Sequence, residues 1–134
     1  MEIQNAWYRI SVKALIYNSK GEILLMKEES WVWDFPGGWL DHWENPIEWL
    51  KRELHEEMWL KITSIQSQPS LFITTHKPHS KSRPWIANVF YETQVENLEF
   101  TASDECVEIW FFDKQTIKSI NTLPNVQDYF NTLK

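Results

Sequence analysis

The chain has 134 residues, with 13 Lys plus Arg against 19 Asp plus Glu and a formal charge of -6. A domain of this size can bury enough surface to fold without disulfides. The single cysteine, Cys106, excludes an internal bridge and a thiolate zinc cluster. The acidic balance lacks the basic footprint of a nucleic-acid binder, so no nucleic-acid partner is expected. No apolar run reaches the length of a membrane span and Met1 to Arg9 carries no signal pattern, so we expect no membrane partner and a cytoplasmic location. Composition departs from the ordinary at nine Trp and three Gly, where average usage would give about nine glycines.

Residues 7–17 alternate Ile10, Val12, Ala14 and Ile16 with Arg9, Ser11, Lys13 and Leu15, which predicts a strand. The turn signal Asn18 to Gly21 and the apolar run Glu22 to Lys27 predict that it folds back as a hairpin. Trp31 to Phe35 should be extended as far as Pro36. A helix is predicted from Pro46 to Met58: Asn45 is the N-cap, Pro46 takes N1, and Glu48 at N3 completes a capping box. Ile47, Leu50, Leu54 and Met58 make its apolar stripe. Trp59 stands where a terminating glycine would be. Strands follow at Ile62–Gln68, Leu71–His76, Trp85–Val95 and Val107–Asp113, with a closing helix over Val126–Leu133. Many strands with two helices predict an α+β fold with a mixed sheet.

The helix concentrates charge. Glu53 lies three and four residues from Glu56 and Glu57, so the three carboxylates share one face, opposite the apolar stripe and turned away from the core. Like charges in one patch repel unless a cation sits among them, and carboxylate oxygens suit magnesium or manganese. A solvated acidic helix is the plain alternative. Upstream, the adjacent Gly37 and Gly38 predict a tight corner whose backbone atoms approach a ligand closely.

These residues resemble the Nudix hydrolase signature. Gly38 is followed by five residues, Glu44, seven residues, and then Arg52-Glu53-Leu54-His55-Glu56-Glu57, with Phe35-Pro36-Gly37 and Trp33 ahead of them. The glycine that the signature places after the Glu pair falls on Trp59, and two positions usually small in relatives hold Trp43 and Trp49. The resemblance implies a single MutT-like domain over 1–134, folded as an α/β/α sandwich. It implies magnesium or manganese held by Glu53, Glu56 and Glu57 with the Gly37 carbonyl, and catalysis involving Glu53, Glu56, Arg52 and Glu44. One carboxylate, most often Glu53, would orient or deprotonate the attacking water. Arg52 would pair with Glu44. A further acidic ligand from a later loop would be Asp104, Glu105 or Glu108, of which Glu105 is preferred.

The reaction implied is hydrolysis of a pyrophosphate bond in a nucleoside diphosphate-linked small molecule, such as a nucleoside triphosphate or ADP-ribose. Lys27, His42, Lys77, His79 and Arg83 are candidate basic contacts, and Trp7, Phe72, Trp85 and Phe90 candidate base platforms. The alternatives are a Nudix-fold nucleotide-binding module without turnover, or an interaction domain. The aromatic content points to a homodimer.

Overall fold

The computed structural model describes residues 8–75 and 85–133. The elements are β1 (Tyr8–Leu15), β2 (Ile23–Lys27), β3 (Trp33–Asp34), β4 (Gly37–Trp39), α1 (Pro46–Met58), β5 (Ile62–Ile65), β6 (Leu71–Thr75), β7 (Trp85–Val95), β8 (Glu108–Phe112) and α2 (Pro124–Thr132). A 3-10 turn at Thr116–Ser119 precedes α2.

One sheet is mixed. In it β1 runs parallel to β7 along its length and antiparallel to β4, while β5 and β6 both pair antiparallel with β7. The other sheet is antiparallel, in the order β3-β2-β8. Helices cover both faces. Trp49, Leu50, Leu54 and Met58 of α1 pack on Val12, Ala14, Ile16, Leu24 and Met26. Val126, Tyr129 and Phe130 of α2 pack on Leu15, Ile23, Leu25, Phe35 and Phe90. Successive strand residues therefore serve opposite cores, which is why β2 is buried on both faces.

The sequence expectations differ from this fold in four places. Trp31, expected to be extended with the residues up to Phe35, closes a turn at φ 67° ahead of β3. The hairpin between the first two strands exists only at its base: Tyr17 bridges Ile23, and β1 and β2 then part into different sheets. A parallel partner far downstream, pairing Tyr8 with Trp85 and Leu15 with Glu92, wins β1, because burial on both faces outweighs local closure. Gly37 and Gly38 form no corner; they lie in β4, opposite Lys13 and Val12. The strand expected over Ile62–Gln68 stops at Ile65.

Helix α1 has the predicted bounds. The Asn45 side chain accepts from Ile47 N–H and Glu48 N–H at 3.0 and 3.2 Å. Its end is a left-handed residue, as such ends require, but that residue is Trp59 at φ 59°.

Candidate functional site

A cleft of about 980 Å³ opens beside α1, β1 and β4. Glu53 and Glu57 are one turn apart on α1 and line it together with Glu105, which the loop before β8 supplies. One oxygen from each of these three carboxylates lies within 4.8 Å of the others. Gly37 lines the same cleft. Its φ of 130° and its approach to β1 exclude a side chain, since a Cβ there would meet the Val12 carbonyl oxygen at 2.0 Å.

Glu57 does not face away from the core as expected. Leu54 and Met58 are fully buried, and the helix draws Glu57 down beside them until it too is buried. Burial first, and then the carboxyls of Glu53 and Glu105, push its pKa far above the ordinary 4.5. Its Oε2 atom is buried and has no hydrogen-bond partner among the described residues. An unpartnered buried oxygen beside two further carboxylates is a costly arrangement that a hard divalent cation would satisfy. The donor set, all carboxylate oxygen, fits magnesium or manganese.

The other expected residues divide. Arg52 donates from Nη2 to Glu44 Oε2 at 2.7 Å, tying the loop before α1 to its second turn. The pair and the Glu56 and Glu53 charges raise the Arg52 pKa. Glu56 is exposed, stands 3.8 Å from Arg52 Nε, and is not in the carboxylate cluster. Asp104 lines the cleft, whereas Glu108 forms an ion pair with Lys27. Lys27 also lies over the Trp31 ring, 4.4 Å from its centroid, and is thereby engaged away from the carboxylates. His42 is exposed. Phe90 is fully buried in the α2-side core and is no platform; Phe72 and Trp85 are exposed. Trp7, His76, Lys77, His79 and Arg83 lie outside the described residues.

Sequence reasoning missed a second group in the cleft. Lys13 Nζ donates to Asp34 Oδ2 at 2.8 Å, with both side chains buried. Asp34 Oδ1 accepts from Phe35 N–H at 2.7 Å and from Asn125 Nδ2 at 2.9 Å. Asn125 Nδ2 lies 3.5 Å from Asn88 Oδ1. Asn88 donates to the Ile73 carbonyl and to Thr75 Oγ1, each at 3.0 Å. Lys13, Asp34, Thr75, Asn88 and Asn125 all line the cleft. The available signal was Lys13 between Val12 and Ala14 in the apolar half of β1; its partners lie on elements that only the fold brings together.

An α+β fold with helices on both sides and an acidic cleft on its first helix thus has the architecture that the signature implied. The chain belongs to the Nudix family: the NUDIX domain pattern matches residues 7–130. Over 65 residues it is 41% identical to an RNA pyrophosphohydrolase of Hamiltonella defensa, a match covering 48% of this chain and only 40% of that relative. A MutT protein of Methanosarcina mazei shares the fold with a TM-score of 0.76 at 24% identity, over 97% of this chain and 95% of that one. A MutT Nudix hydrolase of Burkholderia pseudomallei does so with a TM-score of 0.76 at 17% identity, over 96% and 99%.

Proposed function

We propose that this chain is a magnesium- or manganese-dependent pyrophosphohydrolase that cleaves a phosphoanhydride bond in a small nucleoside diphosphate-linked substrate. The observation that carries the reading is the meeting of Glu53, Glu57 and Glu105 in one cleft, with Glu57 Oε2 buried and without a hydrogen-bond partner among the described residues. Glu53, Glu57 and Glu105, with the Gly37 carbonyl, would hold the cation; Glu56 was expected among them and stands outside the cluster. The bound ion supplies charge neutralisation for phosphate oxygens and a lowered pKa for water. Glu53, half-buried at the cleft wall, accepts the proton of the attacking water on a carboxylate oxygen. Arg52 and Glu44 act on position: their ion pair fixes the loop that follows β4 against the helix that carries the carboxylates. The buried polar group around Asn125 lies in the same cleft and receives the non-phosphate part of the substrate.

The test is release of phosphate or pyrophosphate from nucleotides on adding magnesium. Glu53→Gln should lower kcat by about a hundredfold or more. Tight nucleotide binding with no turnover would favour the binding-module reading instead. A second substrate reading, the 5′ end of an RNA, draws support from the name of the Hamiltonella relative; a triphosphorylated RNA in the same panel separates the two. We include a cytoplasmic location, which the lone thiol favours: Cys106 is buried and its pKa is pushed up to about 12 by that burial. We also include a homodimer, favoured by the exposed Trp39, Phe72, Trp85 and Trp110; a monomer mass by sedimentation would refute it.

A further inference from the structure

The polar group on the cleft floor has only one hydrogen-bonding sense. The Ile73 carbonyl can only accept, so the amide nitrogen of Asn88 must face it, and the Asn88 oxygen must face Asn125. Asp34, itself held by Phe35 N–H and Lys13, also requires a donor from Asn125. Both demands fall on the Asn125 nitrogen. Its Oδ1 is left buried and without a partner among the described residues. Lys13 Nζ in turn spends one N–H on Asp34 and has no other partner among the described residues. The floor therefore presents one fixed acceptor and an ammonium with two N–H groups to spare.

A ligand that satisfies it carries an N–H next to an acceptor with two lone pairs. A carbonyl oxygen has two; a ring nitrogen has one. We propose that Asn125 and Lys13 are specificity-determining residues that select a base with a carbonyl beside a ring N–H, as in guanine, hypoxanthine and uracil, over adenine and cytosine. The proposal rests on the hydrolase reading only for the identity of the reaction; the edge recognised follows from the floor itself.

Inosine and adenosine triphosphates differ only at this edge, so their kcat/KM values test it. ITP should exceed ATP by about tenfold or more, because a wrong edge leaves buried groups unpaired. GTP should follow ITP, and UTP should exceed CTP. Asn125→Ala should bring the ITP to ATP ratio towards one. Equal values in the wild type, or a preference that survives Asn125→Ala, overturn the proposal. If no nucleotide is turned over, the hydrolase reading fails by itself. Thermal shift with IMP and AMP in chelator then decides this proposal separately, a larger shift with IMP supporting it and equal shifts overturning it.

The backbone at three tryptophans carries an independent inference. Among the described residues the positive-φ positions are Gly21, Gly37, Trp31, Trp43 and Trp59, and no third residue type occurs there. Each tryptophan sits where a turn wants glycine. Trp31 closes the Glu28–Trp31 turn joining β2 to β3, the place of a glycine bulge. Trp43 is the third residue of the Asp41–Glu44 turn. Trp59 ends α1, its N–H and that of Leu60 bonding back to His55 and Leu54. The side chains are 73%, 103% and 58% exposed, so core packing compensates none of them.

We infer that residues 31, 43 and 59 are glycine in the protein made by its own host, their codons being UGA and read there as glycine. The nine Trp and three Gly of the chain fit the same exchange. UGA at these codons and glycine in the corresponding peptides of the host protein, read by mass spectrometry, are the expected results. UGG codons, or peptides that carry tryptophan, overturn it.

Discussion

A Cβ at Gly37 would meet the Val12 carbonyl oxygen at 2.0 Å, and the backbone there has a φ of 130° that side chains rarely adopt. Gly37→Ala should therefore cost roughly 3 kcal/mol or more in urea denaturation and detach β4 from β1. Glu57 makes the opposite compromise. In chelator its buried carboxyl holds a proton that the unfolded chain, titrating near the ordinary 4.5, gives up. Its contribution to stability thus falls as pH rises above that value. Glu57→Gln should raise the melting temperature in chelator at pH near 8, while removing the stabilisation that magnesium gives the wild type. The left-handed tryptophans give a third expectation. Trp59→Gly relieves a strain of about 1–2 kcal/mol and should raise the midpoint. Trp110→Gly, in the middle of β8, should lower it.

Helix α1 could be read residue by residue because everything that defines it is local. Asn45 caps it, Pro46 opens it, and Leu50, Leu54 and Met58 give its buried stripe, with Ile47 half-buried at the near end. Asn45→Ala should cost about 1 kcal/mol, read from chemical denaturation. The strands were legible in place but not in partnership. Sequence proximity favoured β1 with β2, whereas the fold pairs β1 with β7, whose contribution to burial no local pattern reveals. The 3-10 turn was missed because a single turn has no periodicity. Asp113 precedes it, and its carboxylate accepts from the Thr116 and Gln115 N–H groups, bonds that chiefly lower its pKa. Asp113 therefore adds stability at pH values above its ordinary 3.8, and that stability is lost as pH falls through the lower folded value. Asp113→Asn should flatten the acid limb of a stability–pH curve.

At the scale of the whole molecule, the acidic half of the cleft was readable only in part, since spacing grouped Glu56 with Glu53 and Glu57 and turned all three away from the core. The polar half was not readable at all. Glu53 and Glu57 share a helix, so spacing alone brought them together. Lys13, Asp34 and Asn125 come from three elements, with 91 residues separating the last two. Lys13→Met would leave Asp34 buried and charged, at a cost of about 3–5 kcal/mol in unfolding free energy. Lys13→Met with Asp34→Leu should recover most of that loss.

Strand β1 carries these two economies on alternate residues. Arg9, Ser11 and Lys13 line the cleft, while Val12 and Ala14 belong to the α1-side core. Arg9 and Ser11 can accordingly be diversified to redirect ligand choice while Val12 and Ala14 keep the scaffold intact; Leu15, the next odd position after Lys13, already belongs to the α2-side core. A one-residue insertion before Ser11 would invert that assignment, sending lysine towards leucines and valine into water.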